Sequence, residues 1–179
     1  MAPPLLNGGP FTEDGVHKLW APWRLEYIDA PKPEGCIFCD YPAADPSEDR
    51  KNLLVHRSAR AFTMLNKYPY NSGHVMVIPR RHVADLGELD DESFADLHAE
   101  LRRAVAVLRA VYRPQGLNVG MNLGTVAGAG IAEHLHYHVV PRWGGDTNFM
   151  PVLADTKVLI EHLEETWKKV HGGFESLPA

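Results

Sequence analysis

Three histidines alternate with other residues in the segment His134-Leu-His136-Tyr-His138, which two valines follow. Successive side chains of a β-strand point to opposite faces, so a strand would place all three imidazoles on one face. On a helix, His136 would point away from the other two. The β-branched and aromatic content also favours a strand, and Pro141 fits its end. The pattern therefore predicts a strand with three imidazoles on one face.

Three imidazoles on one face indicate a metal site, or phosphoryl or acyl chemistry, because histidine serves as metal ligand, nucleophile and acid or base near neutral pH. The alternative, three polar residues on a solvated face, is less favoured, because histidine is rare and the spacing fits a strand. The preceding segment, 120–130, carries four glycines. Such a loop lets backbone N–H groups approach an anion closely. A histidine strand beside this loop points to a nucleotide.

These residues resemble the His-x-His-x-His-hydrophobic-hydrophobic signature of the histidine triad (HIT) superfamily. Accessory motifs extend the resemblance from about Leu19 to Asn148: Trp20-Ala-Pro-Trp-Arg24, Cys36-Ile-Phe-Cys39, Leu65-Asn66, Asn71-Ser-Gly-His74, Ile78-Pro-Arg-Arg-His82, Asn118-Val-Gly-Met-Asn122 and Pro141-Arg-Trp-Gly-Gly-Asp146. The pattern is most similar to bacterial HIT proteins of the diadenosine-tetraphosphate phosphorylase type. In the family's galactose-1-phosphate uridylyltransferase branch, glutamine replaces the third histidine, so His138 argues against that branch.

The predicted fold class is α+β, with a HIT-like antiparallel sheet, helices on one side, one long central helix and a C-terminal helix. The central helix is predicted to begin at the N-cap Asp90 and to end at Arg113-Pro114, because apolar residues recur at three- and four-residue spacing between them. The second helix is predicted over 155–171, stopped by Gly172-Gly173. Strands are predicted at 52–55, 59–66, 74–78, 117–122 and over the triad.

The 179 residues fit one domain, predicted over 17–179, after a flexible arm at 1–16 that is rich in Pro and Gly. Hydrophobic and charged contents of 45% and 23% are typical of a globular protein. The net charge of −5 argues against a nucleic-acid partner. The chain has no apolar run of membrane-spanning length and no secretory signal at its start, so a cytoplasmic protein without a membrane partner is predicted.

Cys36 and Cys39 are spaced so that both sulfurs can bind one metal ion, although a lone pair of this kind is a weak signal. Free thiols are the alternative in a reducing compartment. The HIT resemblance implies two further ligands, His82 and His134. The four residues would form a closed Cys2His2 set that holds a structural zinc ion. No organic cofactor is expected.

The resemblance also implies a role for each triad member. His136 would attack the α-phosphorus of a nucleotide and form a nucleotidyl-histidine intermediate. His138 would hydrogen-bond the phosphate oxygens and assist the leaving group. His134 would orient His136, or bind zinc and so stiffen the strand that bears His136. Two histidines outside the triad, His56 and His74, are interpreted as structural.

Substrate contacts are predicted around the triad. Asn66 matches the family's ribose-contacting position, and the resemblance implies that His138 faces the phosphates. Phosphate oxygens are expected on the Asn122 side chain and on the backbone of Gly128, Ala129 and Gly130. Many HIT hydrolases carry Gly-Gln-Ser/Thr-Val just before the triad, whereas this chain has small residues there and lacks the amide and the hydroxyl. The free volume and backbone donors could hold a second anion in line with the intermediate.

The resulting hypothesis is an enzyme that cleaves a dinucleoside polyphosphate by phosphorolysis, giving ADP and ATP from diadenosine tetraphosphate. Its partners would be an adenine dinucleotide or mononucleotide, inorganic phosphate and, by resemblance, a second copy of the chain in at least a homodimer. The alternatives are a HIT hydrolase of dinucleoside polyphosphates or nucleoside phosphoramidates, a non-catalytic nucleotide-binding HIT protein, and a hydrolase with a metal held by the triad.

Overall fold

The computed structural model describes residues 35–146 and 161–177. In chain order the elements are helix α1 (Ile37–Ala43), strands β1 (Leu54–Arg57), β2 (Ala61–Leu65) and β3 (Val75–Pro79), helix α2 (Asp91–Tyr112), strands β4 (Gly116–Met121) and β5 (Tyr137–Arg142), and helix α3 (Leu163–Ser176). The predicted arm at 1–16 lies outside the described residues, as does the motif Trp20–Arg24.

The five strands form one antiparallel sheet in the order β1-β2-β3-β5-β4. The four strands predicted before the triad all exist, with ends that differ by one or two residues. Strand β5 lies between β3 and β4, so His138 is opposite Met76 on one side and Gly120 on the other. Directly opposed residues of antiparallel strands share a face, so these three positions lie on the same side of the sheet.

One face of the sheet is covered by α2 and α3. Valines and leucines of the strands pack there against Leu97 and Leu108 of α2 and against Phe174 of α3. The predicted central helix is confirmed, because the Asp90 carboxylate accepts a hydrogen bond from the Ser93 N–H and the helix ends at Tyr112.

The prediction that Gly172-Gly173 stop the last helix is wrong. Residues 155–160 lie outside the described residues, 161 and 162 are not helical, and α3 continues through both glycines to Ser176. A Cβ atom at position 173 would lie 2.7 Å from methyl groups of Val107 and Val111 on α2. Gly173 is thus required by the close approach of the two helices and does not mark a helix end.

The other face of the sheet, which carries His138, is covered in part by α1, a helix that was not predicted. Its Phe38 is buried in a second apolar cluster, with Phe62, Met76 and Ile78 of the sheet. The helix has only 7 residues, contains Pro42 and has no side-chain cap, so it leaves no periodic signal in the sequence. Within the described ranges, no helix combines the length and the hydropathy needed to cross a bilayer.

Candidate active site and metal cluster

The three histidines of the triad do not all lie in a strand of the sheet. Strand β5 begins at Tyr137, so only His138 lies within it, and the prediction of a strand over all three histidines is wrong for the first two. The ladder with β3 ends there because Pro79 has no N–H to donate, and the Leu135 N–H donates to the carbonyl oxygen of Val83 at 2.7 Å. The backbone still alternates: Leu135 is buried on the face covered by α2, and the histidines are on the other face.

His136 is held as a neutral imidazole with a defined tautomer. Its side chain is buried, with 5% exposure, and its Nδ1 lies 2.9 Å from the carbonyl oxygen of His134. A carbonyl oxygen only accepts, so Nδ1 carries the proton and Nε2 carries the lone pair. Burial lowers the pKa of His136 because it disfavours the imidazolium form. The Nε2 lone pair is therefore present at neutral pH, as a nucleophile requires.

His138 has the complementary tautomer because His74 contacts it. The Tyr70 N–H donates to His74 Nδ1 at 3.0 Å, which places the His74 proton on Nε2. His74 Nε2 lies 3.0 Å from His138 Nδ1 and therefore donates to it, so the proton of His138 is on Nε2. The His136 and His138 ring centroids are 4.9 Å apart. Two adjacent imidazoles thus offer one lone pair and one N–H donor.

The interpretation of His74 as a structural residue missed this contact. His74 precedes β3, and its side chain is 1% exposed. It reaches His138 because β3 and β5 are neighbours in the sheet, which the order of residues in the chain does not reveal. His56, interpreted in the same way, lies on the other side of the molecule, where its Nδ1 is 2.9 Å from a carboxylate oxygen of Glu100.

The four predicted metal ligands lie together. Each of Cys36, Cys39, His82 and His134 contributes one ligand atom, and these four atoms are within 4.8 Å of one another. His134 Nδ1 lies 3.3 Å from Cys36 Sγ and 3.6 Å from Cys39 Sγ, and His82 Nδ1 lies 3.3 Å from Cys39 Sγ. Zinc bonds of about 2.3 Å to sulfur and 2.0 Å to nitrogen set tetrahedral S···N separations of about 3.5 Å.

The protonation states in the cluster also fit a cation. His134 Nε2 donates to the carbonyl oxygen of Pro79 at 2.8 Å, which leaves the Nδ1 lone pair directed at the sulfurs. Burial lowers the pKa of His134 to about 4, so its ring is neutral as a ligand must be. Burial and the neighbouring Cys36 raise the pKa of Cys39 to about 11. A thiol of this kind loses its proton when a metal ion binds it.

The loop between β4 and β5 contains the predicted phosphate-binding residues, and it is mostly exposed. The Asn122 side chain donates to the carbonyl oxygen of Gly128 at 3.4 Å, which brings two of these residues together. Gly128 has a φ of +90°, a conformation that favours glycine. Asn66 follows β2, and its side-chain oxygen accepts from the Tyr68 N–H at 2.9 Å. The roles of these residues in phosphate and ribose binding stay predictions.

Comparisons with known proteins fit this geometry. The model of the HIT domain family matches residues 48–145. The AP-4-A phosphorylase of Mycobacterium tuberculosis is 42% identical over 168 residues, which cover 90% of this chain and 86% of that protein.

Two solved structures share the fold. A hypothetical histidine triad nucleotide-binding protein from Sulfolobus tokodaii matches with a TM-score of 0.60 and 26% identity, covering 78% of this chain and 92% of that one. A Zn-bound histidine triad family protein from Mycobacterium smegmatis matches with a TM-score of 0.61 and 24% identity, covering 79% and 94%. The chain therefore belongs to the histidine triad family, and the predicted HIT-like α+β fold is confirmed.

Proposed function

We propose that this protein cleaves a dinucleoside polyphosphate such as diadenosine tetraphosphate at its α-phosphorus, through a nucleotidyl-His136 intermediate that inorganic phosphate resolves. The observation that carries the proposal is the pair of complementary tautomers, with a lone pair on His136 Nε2 and a proton on His138 Nε2. The 42% identity to a phosphorylase over most of both chains supports the same substrate class.

In the first step, His136 Nε2 attacks the α-phosphorus and forms an N–P bond, while the P–O bond to the nucleoside triphosphate breaks. The leaving oxygen is stabilised by the His138 Nε2–H, which donates a hydrogen bond to the developing charge. The carbonyl oxygen of His134 still accepts from His136 Nδ1, and it stabilises the positive charge that the ring acquires.

In the second step, an oxygen of inorganic phosphate attacks the same phosphorus and the N–P bond breaks. ADP is released, and the electron pair of the broken bond restores the lone pair on His136 Nε2. Asn122 and the backbone of Gly128, Ala129 and Gly130 are the proposed site for phosphate oxygens. Small residues at these loop positions leave the backbone N–H groups accessible to an anion.

We also propose that Cys36, Cys39, His82 and His134 hold one structural zinc ion. All four positions are occupied by protein ligands, so the site would be closed, as structural zinc sites are. Its effect on catalysis would be indirect: it fixes His134, whose carbonyl oxygen sets the tautomer of His136. Zinc in such a site supplies rigidity and does not need to touch the substrate.

A second copy of the chain is the proposed protein partner. Strand β4 is at the edge of the five-stranded sheet, and its Val119 is 46% exposed. An exposed edge strand with an apolar side chain can pair with an identical strand. Light scattering coupled to size exclusion would give at least twice the mass of one chain if this is correct.

The test of the proposed function is to incubate the protein with diadenosine tetraphosphate and ¹⁸O-labelled phosphate, then identify the nucleotides by mass spectrometry. Phosphorolysis gives ATP and ADP, with the label in the β-phosphate of ADP. The control replaces phosphate by sulfate at equal ionic strength. If AMP and ATP form at the same rate in both buffers, the protein is a hydrolase.

Hydrolysis of the same intermediate is the second candidate function. The observation in its favour is the exposure of the loop between β4 and β5, which gives water access to the reacting phosphorus. A nucleotide-binding protein without turnover would not need a nucleophile, and His136 has the position and tautomer of one.

A further inference from the structure

A cavity of about 410 Å³ lies beside His138, between strand β4 and the C-terminal half of β5. It is on the side of His138 opposite to the cysteines, because β5 leads from the metal cluster toward Arg142. Its walls include Tyr70, Asn118, Gly120, Asn122, His138 and Arg142. A cavity of this size accommodates a nucleoside, whereas a single phosphate ion would fill only a small part of it.

The proposed reaction directs the leaving group to this cavity. His136 is bonded to the α-phosphorus, and His138 contacts the oxygen that leaves. The departing half of the substrate therefore extends from His138, which forms part of the cavity wall.

The chemistry of the walls favours a base and a ribose over a bare polyphosphate. Arg142 is the cationic side chain of the wall, and it is paired with the Asp146 carboxylate at 2.6 and 2.9 Å. The Arg142 guanidinium holds the pKa of Asp146 well below its usual range, so the carboxylate stays charged and compensates the arginine. Asn118 Oδ1 accepts from Arg142 at 2.7 Å, which leaves its NH2 group as a donor for a ligand. The Tyr70 ring, 42% exposed, adds an aromatic surface.

Gly120 keeps the cavity open. It is opposite His138 in the ladder, so a side chain at this position would lie on the cavity face. A Cβ atom at position 120 would meet no atom within 4 Å, and the backbone is not in the left-handed region. A larger side chain at this position would therefore fill the cavity, and its Cβ atom would not clash with the protein.

We propose that this cavity binds the second nucleoside of the substrate, the one that leaves as part of the nucleoside polyphosphate. The inference rests on the proposed function, because a leaving nucleoside exists only if the substrate is a dinucleotide. It explains how the enzyme would prefer dinucleoside over mononucleoside polyphosphates, although both present the same α-phosphorus to His136.

The test compares Gly120→Val with a matched control, Gly116→Val, on two substrates. Position 116 is on the same strand but outside the cavity, and a Cβ there only touches Arg142 Cβ at 4.0 Å. Diadenosine tetraphosphate has the second nucleoside, and adenosine 5′-tetraphosphate lacks it. We expect Gly120→Val to lower kcat/KM for the dinucleotide about tenfold or more, mainly through KM, and to change the mononucleotide value less than about twofold. Gly116→Val should change neither.

Melting curves and size exclusion verify that both variants fold and assemble like the wild type. If Gly120→Val does not fold, Asn118→Ala replaces it, with the same expected selectivity for the dinucleotide. Equal losses on both substrates, or no loss on either, overturn the second-nucleoside site while leaving the proposed function in place. If the wild-type protein cleaves neither substrate, the proposed function fails and this inference fails with it.

Discussion

His136 lies between two regions of different construction. On one side, His134 is buried and its Nδ1 is within 3.6 Å of two sulfur atoms contributed by the start of α1. On the other side, the loop from β4 to β5 is mostly exposed, and its Val126 has no protein neighbour that shields it from water. In the proposed mechanism, the first region fixes His134, whose carbonyl oxygen orients His136, and the second region provides backbone groups that bind phosphate. Substitutions in the first region should therefore lower the free energy of unfolding, and substitutions in the second region should weaken phosphate binding.

The largest effect is expected for the residue between the two regions. His136→Ala removes the attacking lone pair, so the turnover rate should fall by about 10⁴-fold or more. Substrate binding should remain, since the predicted binding groups are unchanged, and calorimetric titration with diadenosine tetraphosphate checks this. A near-normal turnover rate of this variant would show that His136 is not the nucleophile.

The next effect concerns the hydrogen bond from His138 to the leaving oxygen. His138→Ala should lower kcat by about 10²- to 10³-fold, the range typical of the loss of one hydrogen-bond donor to a developing negative charge. The loss should be larger for an AMP ester of phenol than for diadenosine tetraphosphate, because the phenolate oxygen is more basic and depends more on the hydrogen bond from His138. His74→Phe should act in the same direction but less, because His74 only sets the tautomer of His138. An equal loss on both substrates would indicate a structural defect instead.

The buried metal cluster is tested by Cys36→Ser. If the cluster holds zinc as proposed, loss of one ligand should reduce the free energy of unfolding by several kcal/mol and the intrinsic rate much less, because a bound zinc ion would stabilise the folded state. Thermal melting, kcat and zinc content measured on the same preparation separate these effects. Absence of zinc from freshly purified, reduced wild-type protein would contradict the metal proposal.

The exposed loop between β4 and β5 is tested by Gly128→Ala. For this variant we expect the smallest change in the free energy of unfolding. A φ of +90° disfavours alanine, so the free energy of unfolding should fall by about 1 kcal/mol. The KM for phosphate should rise several-fold while the KM for the dinucleotide changes little. Thr125→Ala, in the same exposed loop, is the matched control and should leave both KM values unchanged.

The sequence predicted the parts of the site that side-chain spacing defines. The alternating pattern correctly predicted that the three histidines share one face, although strand β5 begins only at Tyr137. Side chains of an extended backbone point alternately to opposite sides even where no strand pairing exists. The CxxC pair and the HIT resemblance identified four ligand residues whose ligand atoms lie within 4.8 Å of one another.

The contacts that the sequence could not predict depend on packing between distant segments. His74 reaches His138 through the order of the strands, and Gly173 is explained by its distance from α2. The short helix α1 has no periodic signal to detect. The arm at 1–16, the homodimer and the cytoplasmic location stay predictions, since none of them is decided by the described residues.

Trapping the nucleotidyl-His136 intermediate tests the proposed mechanism most directly. The protein is mixed with diadenosine tetraphosphate labelled at the α-phosphorus in phosphate-free buffer, quenched within milliseconds and digested at alkaline pH. We expect label that is stable in base and labile in acid, located by mass spectrometry on the peptide bearing His136 and absent from His136→Ala. Turnover without any labelled peptide, or label on another residue, would rule out a covalent intermediate on His136.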